Sequence, residues 1–274
     1  MKTVRMELDF SKPTTLSLGK VNAALLDATT LNFSCLDELR KKLHAATSIE
    51  DLRACCKQET KDLGFNSFVY ALRVPTNFTN AQLVIVDGYP QGWVKRYFEA
   101  AYFDVDPVMH WCKTQVLPLI WSDLVLAEGS LARKMMQEAA DFGLRDGVTM
   151  PVHSPQGELG ILSMSIDASR EVTRPILQRT LPYIQLMASH LHHAVRRLSA
   201  TALPDAPEMS ARVNECLRWA AEGKTTGEIA QILGISDSTV NFHLNNAMQK
   251  LNVVNRQQGI GKVALQGLIQ PKPF

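Results

Sequence analysis

Apolar residues recur three and four positions apart from Leu36 to Phe65, with charges between them, and this spacing predicts two helices broken near Thr47-Ser48 and closed by Gly64. Phe68 to Leu72 and Leu83 to Val86 are short and rich in aromatic and β-branched residues, which predicts two strands connected through Pro75-Thr76-Asn77. In the stretch from Tyr89 to Trp121, Trp93, Tyr97 and Ala100-Ala101 share one face of a helix, and Asp106-Pro107 stops the chain after that aromatic run. Leu131 to Phe142 reads as a helix ended by Gly143, with Met135-Met136 as core filler. Asp146 to Val152 and Gly160 to Ile166 form a β-hairpin through Ser154-Pro155-Gln156-Gly157. From Pro175 to Leu198 the residues Leu177, Leu181, Ile184, Ala188, Leu191, Val195 and Leu198 alternate four and three apart along a long helix that Pro182 can kink. That stripe suits either a helix lying over the sheet or a contact between two copies of the chain.

Two more helices, Thr226 to Leu233 and Ser236 to Leu251, meet at Gly234-Ile235-Ser236, where glycine supplies a left-handed turn and Ser236 or Asp237 a cap. Such a pair is a helix-turn-helix. At about 100° per residue, Val240, Leu244, Ala247 and Leu251 fall on one face of the second helix. Ser238, Asn241, Phe242, Asn245 and Gln249 then face the other way. Asparagine and glutamine can pair bidentately with an adenine edge, and Phe242 can meet a thymine methyl. The positive end of the helix lies near Ser236 to Thr239.

Composition narrows the class. At 274 residues and 46% hydrophobic, the chain can build one core of about 200 residues and a second of about 65. A formal charge of +2 excludes strong, non-specific electrostatic attachment to nucleic acid, so affinity has to come from placed contacts and pairing. Five cysteines, Cys35, Cys55, Cys56, Cys112 and Cys216, follow no zinc spacing, and the adjacent Cys55-Cys56 reads as two small apolar residues on a helix. The start lacks the apolar segment of a signal peptide and no run approaches the roughly 20 apolar residues of a membrane helix, so a cytoplasmic protein without membrane attachment is expected.

The aromatic stretch, on its own, suggests a cavity walled by Tyr and Trp around one carboxylate, suited to a small ligand with an amide or amine to donate. Enzymatic readings recruit His110, Cys112 and Ser163, or His190, His192 and His193. Adjacent helix positions diverge by about 100° and no third metal ligand follows His190 and His193 at useful spacing. Neither a nucleophile elbow nor a phosphate-cradling glycine loop occurs. No enzyme, cofactor or metal is expected.

Lys224-Thr225, Glu228-Ile229-Ala230, Ile235-Ser236, Thr239-Val240, His243 and Lys250-Leu251 resemble the DNA-binding domain of LuxR-type transcription factors, from roughly Glu208 to the end. The resemblance implies four helices near 210–222, 226–233, 237–251 and 255–267, the third entering the major groove. It places Asn241, Phe242 and Asn245 on base edges and Thr225, Ser238, Thr239, Lys250 and Arg256 on phosphates. The chain departs from the family at Val213, where an acidic residue is usual.

Tyr89, Trp93, Tyr97, Asp106-Pro107, Trp121 and Gly147 likewise resemble the autoinducer-binding domain of the same receptors. The implied ligand is an N-acyl-homoserine lactone. Its lactone carbonyl would meet the Trp93 indole, its amide Asp106, and its acyl carbonyl Tyr89 with Ser163. Trp121 would pack on the lactone ring and Tyr97 along the acyl chain. A buried carboxylate needs donors, so loss of the ligand amide is expected to destabilise the fold. Val108 departs from a small hydroxyl residue in several lactone-binding members, which implies a preference for unsubstituted over 3-oxo chains.

The implied class is α+β: an N-terminal α/β/α sandwich with a central antiparallel sheet, and a C-terminal all-α four-helix helix-turn-helix domain. The boundaries read as an extension over 1–34, an autoinducer-binding domain over 35–198, a linker over 199–207, rich in small residues and proline, and a DNA-binding domain over 208–274. Expected partners are the autoinducer, double-stranded DNA, a second copy of the chain and, for an activator, RNA polymerase. A receptor without its own synthase, or a repressor that the ligand releases, fits the same residues.

Overall fold

The computed structural model describes residues 33–199 and 207–269. The expectations for an N-terminal extension and for the linker fall, but for their edges, outside the described residues.

Helix α1 (Phe33–Ala45) buries Leu36, Leu39 and Leu43, and α2 (Ile49–Asp62) begins at the predicted break. There Ser48 accepts from the Asp51 backbone N–H while the Asp51 carboxylate accepts from that of Ser48, a reciprocal cap. Strands β1 (Ser67–Pro75) and β2 (Ala81–Asp87) run longer than their apolar cores predict. Helices α3 (Gln91–Glu99) and α4 (Pro107–Thr114) follow, then the short β3 (Leu119–Ile120), α5 (Leu131–Asp141), the hairpin β4 (Asp146–His153) and β5 (Leu159–Ile166), and α6 (Arg170–Leu198).

The five strands make one antiparallel sheet in the order β2-β1-β5-β4-β3. Alternation along β1 sorts its faces: Phe68, Tyr70, Leu72 and Val74 are buried, while Val69, Ala71 and Arg73 are only partly covered. The buried face packs under α2 and α6, where the Tyr70 hydroxyl lies 2.9 Å from His192 Nδ1. The other face looks toward α3, α4 and α5, giving the expected α/β/α layers. Gly147 in β4 is demanded by backbone proximity, since a Cβ there would stand 2.3 Å from the Met164 carbonyl oxygen.

The stripe of α6 resolves toward the sheet. Leu177, Ile184, Ala188, Leu191 and Val195 are buried and Leu181 and Leu198 partly so. These residues build the core of the chain under the sheet. Cys56 is buried on α2 with Cys55 half-covered, in keeping with small apolar packing.

The C-terminal helices are α7 (Ala211–Ala221), α8 (Thr226–Leu233), α9 (Asp237–Lys250) and α10 (Arg256–Leu265). Val213, Cys216, Leu217, Ile229, Val240, Leu244, Ala247, Leu251 and Val263 form their own core. Val213, the departure from the family pattern, is 4% exposed within it. Ser210 caps α7 through the Val213 N–H, and valine has no carboxylate to return the bond as Glu228 does for Thr225 in α8.

Candidate functional site

The turn into α3 is pinned by Asp87, whose carboxylate accepts from the Tyr89 N–H (2.9 Å) and from Gln91 Nε2 (2.7 Å). One helical turn in, Trp93 is buried, with its ring stacked on Tyr102 at 6.0 Å and tilted against Phe142 at 5.9 Å. After α3, Ala101 takes the left-handed conformation at φ 51°, a strained choice for a residue with a Cβ. The chain reverses through a 3-10 turn at Tyr102–Asp104 and delivers Asp106 to the start of α4.

Asp106 is the N-cap of α4. Its Oδ1 accepts from the backbone N–H of Val108 (2.8 Å) and Met109 (3.3 Å), Pro107 fills the first helical position, and the Tyr97 hydroxyl donates to Oδ2 at 2.9 Å. Burial raises the Asp106 pKa against those three bonds, and burial followed by the Asp106 charge pushes Tyr97 up. The carboxylate is thus satisfied by the chain itself. Tyr97 and the helix end give it three donors, to which a ligand amide would add a further one. Tyr97 lines the cavity but acts chiefly on Asp106 rather than only along an acyl chain.

The Trp121 indole donates to Thr149 Oγ1 at 2.9 Å, and the Thr149 and Ser163 hydroxyls are hydrogen-bonded at 2.8 Å. Tyr89, whose pKa burial drives up, has Ser163 as its nearest polar influence. Thr149 escaped sequence reading because one Thr on a strand carries no distinguishing pattern. Only the pairing of Thr149 with Ser163 across β4 and β5 puts it in the row.

These groups surround one cavity of about 360 Å³. Tyr89, Trp93, Tyr97, Asp106, Trp121 and Ser163 all line it. The Trp93 indole N–H has no hydrogen-bond partner among the described residues. Apart from Asp87 the remaining wall is apolar, and Val108, Met135 and Met136 belong to it. Met135 is buried in the core cluster and Met136 packs against it, as expected of core filler, and both also line the cavity. Arg96 of α3 straps this roof to α5 through Glu138, at 2.7 and 3.1 Å, and with Tyr102 holds the Glu138 carboxyl down at about 2.

The second site lies on α9. Gly234 closes α8 in the left-handed region at φ 65°, and Ser236 caps α9 by accepting from the Thr239 N–H. Val240, Leu244, Ala247 and Leu251 are buried as the wheel predicts. Ser238, Asn241, Phe242, Asn245 and Gln249 are exposed, and Phe242, at 64%, is a large apolar ring on an otherwise polar face. Thr226 Oγ1 donates to the side-chain Oδ1 of Asn241 at 3.3 Å. Of the expected phosphate contacts, Thr225 forms the cap of α8 and Thr239 bonds Ser236. Lys250 reaches the Glu208 carbonyl at 2.8 Å and Arg256 that of Lys224 at 2.5 Å, so the first ties α9 to the segment before α7 and the second ties α10 to the turn between α7 and α8.

Among the described residues no group of His, Cys, Asp or Glu side chains is arranged to hold a metal, and no helix is long and apolar enough to cross a membrane.

A cavity domain followed by a helix-turn-helix defines a ligand-responsive transcriptional regulator. The model of the autoinducer binding domain matches residues 48–195 and that of bacterial regulatory proteins of the luxR family matches residues 207–262, so the chain belongs to the LuxR family of quorum-sensing regulators and not to an enzyme family. It is 36% identical over 246 residues to the transcriptional activator protein AhyR of Aeromonas hydrophila, covering 86% of this chain and 93% of AhyR. The regulatory protein SdiA of Escherichia coli strain K12 is 36% identical over 214 residues, covering 77% of this chain and 87% of SdiA. A solved structure of SdiA in complex with octanoyl-rac-glycerol superposes with a TM-score of 0.72 at 31% identity, covering 88% of this chain and 98% of that one.

Proposed function

We propose that the autoinducer is an N-acyl-homoserine lactone bound with its head group between Trp93, Asp106, Tyr89 and Ser163. The observation that carries this reading is that Trp93, Asp106, Tyr89 and Ser163 line one cavity together with Tyr97 and Trp121, and that its other lining residues, Asp87 apart, are apolar. Trp93 offers an unused donor to the lactone carbonyl. Asp106 retains acceptor capacity for the amide N–H on the carboxylate that Tyr97 steadies. Tyr89 and Ser163 face the acyl carbonyl, and Trp121, its N–H committed to Thr149, presents its ring to the lactone. The acyl-bearing ligand in the SdiA structure supports a polar head and a fatty tail as the ligand class.

Adding octanoyl-homoserine lactone at about a hundred times its Kd is expected to stabilise the cavity domain by about 2.7 kcal/mol, a rise in melting temperature of roughly 5 to 10 °C for a domain of this size. The 3-oxo form is expected to give the smaller rise at equal concentration, because Val108 offers only methyls where a hydroxyl would meet the added oxygen. No shift with either lactone contradicts the ligand class, and a larger shift with the 3-oxo form contradicts the role of Val108.

The division of labour follows the boundaries 1–34, 35–198, 199–207 and 208–274. A homodimer presents two α9 helices to an inverted repeat, with Asn241, Phe242 and Asn245 on base edges. Thr225, Ser238, Thr239, Lys250 and Arg256 stand near the phosphates, Lys250 and Arg256 sharing donors with their present carbonyl partners. Relatives named as activators support activation, with RNA polymerase as the further partner, in the cytoplasm where the duplex lies.

A further inference from the structure

Trp121 is held through its backbone by groups that stand outside the cavity. It opens a 3-10 turn, Trp121–Asp123, directly after β3. The peptide that joins it to Ser122 is bonded on both edges: the Ser122 N–H donates to Asp146 Oδ1 at 3.1 Å, and the Trp121 carbonyl accepts from the Leu124 N–H at 3.0 Å. One peptide further on, the Ser122 carbonyl accepts from Arg170 Nη1 at 3.2 Å while Arg170 Nη2 pairs with Asp123 at 2.7 Å. The indole N–H goes to Thr149. Three elements thus meet at a turn of three residues: β3 leads into it, β4 supplies Asp146 and Thr149, and the first residue of α6 supplies Arg170.

Side chains alternate along a strand, so Asp146 and Thr149 point to opposite faces of the sheet, one gripping the backbone of Trp121–Ser122 and the other the ring. Asp146 is 4% exposed, and its Oδ1 accepts from the Ser122 N–H and, at 2.8 Å, from the Gly147 N–H. Its Oδ2 has no partner among the described residues. A buried carboxylate costs free energy that only its hydrogen bonds offset, and here those bonds go to main-chain N–H groups. Neither Asp146 nor Arg170 lines the cavity, so their effect on a molecule inside it passes through the turn. Each bond that fixes the backbone of Trp121 or its indole N–H removes freedom from the ring before a ligand arrives, and a flat group laid on that ring meets little further ordering cost.

We propose that Asp146 and Arg170 are positioning residues for the Trp121 ring, and that through it they set a preference for a ring-bearing head group over an open-chain one. This rests on the lactone reading, in which Trp121 presents its ring to the lactone. With either anchor removed the turn gains freedom, and the ligand has to order the indole as it binds. The amide and acyl carbonyl, assigned to Asp106, Tyr89 and Ser163 on other elements, keep their partners.

The test compares two ligands on the purified full chain by displacement of labelled octanoyl-homoserine lactone: the unlabelled lactone, and N-propyl octanamide, which keeps the acyl chain and the amide and lacks the ring. Arg170→Met removes the donors at a half-exposed position, where folding is not expected to suffer. Its affinity for the lactone is expected to fall about three- to tenfold, the cost of ordering one freed side chain, with that for the propyl amide within about twofold of the unsubstituted protein. Asp146→Asn keeps an acceptor for the Ser122 N–H and is expected to hold the ratio of the two affinities within about twofold, whereas Asp146→Ala is expected to lower it about tenfold. Should Asp146→Ala not fold, Arg170→Met alone decides. A ratio unchanged in Arg170→Met, or affinities for both ligands lowered alike, overturns the positioning role, as does equal affinity of the unsubstituted protein for the two. Failure of the lactone to bind the folded, unsubstituted chain overturns the head-group reading itself.

Discussion

Asp106→Asn is expected to weaken lactone binding at least a hundredfold while the chain still folds. Asparagine is as good an N-cap as aspartate, so its side-chain oxygen can keep the bonds from the Val108 and Met109 N–H groups that start α4. The Tyr97 hydroxyl can turn and accept from the new amide. The ligand loses more: its N–H now faces a donor in place of a carboxylate. A hydrogen bond to a charged group contributes about 1.5 to 3 kcal/mol, and a buried donor left without a partner costs a further 1 to 3 kcal/mol, which together reach the stated loss. Retention of lactone affinity within threefold by a folded Asp106→Asn protein contradicts the assignment of the amide to this carboxylate.

The complementary change is Asn245→Ala on the exposed face of α9. Alanine suits a helix and Asn245 contributes nothing to the core formed by Val240, Leu244 and Ala247, so folding is not expected to suffer. A lost bidentate base contact costs roughly 1 to 3 kcal/mol at each half-site, and a symmetric dimer loses it twice. Operator affinity is therefore expected to fall by roughly 30-fold to more than a thousandfold, with the salt dependence of binding kept because no phosphate contact is removed. Binding of a lactone is expected to track the unsubstituted protein. Loss of lactone binding by a folded Asn245→Ala chain contradicts the separation of input from output.

The DNA-binding half was almost wholly legible in the sequence because its signals are local. Gly234, the cap at Ser236, and the 3.6-residue rhythm of Val240, Leu244 and Ala247 lie within a few turns of one another, and each does in the structure what its spacing predicts. The cavity is a different matter. Its aromatic and acidic residues were legible as a cluster and, through resemblance, as a ligand site, but their mutual bonds were not. Tyr97 meets Asp106 only because Ala101 adopts a left-handed conformation that no composition rule assigns to alanine. Thr149 joins Trp121 to Ser163 through a strand pairing, and Met135 and Met136, legible as core, also line the cavity. Periodicity marks a residue as inward-facing and cannot distinguish packed interior from cavity wall. The same blindness affects α6, whose regular stripe suits a two-helix seam and a sheet cover equally well, and which the structure spends on the sheet.

The most direct measurement is the mass spectrum of small molecules released from the folded full-length chain after expression with added octanoyl-homoserine lactone. Close to one intact lactone per chain is expected from the unsubstituted protein and almost none from Asp106→Asn. A soluble, folded protein that yields no lactone, or an Asp106→Asn protein that yields as much, contradicts a receptor whose cavity is completed by that molecule.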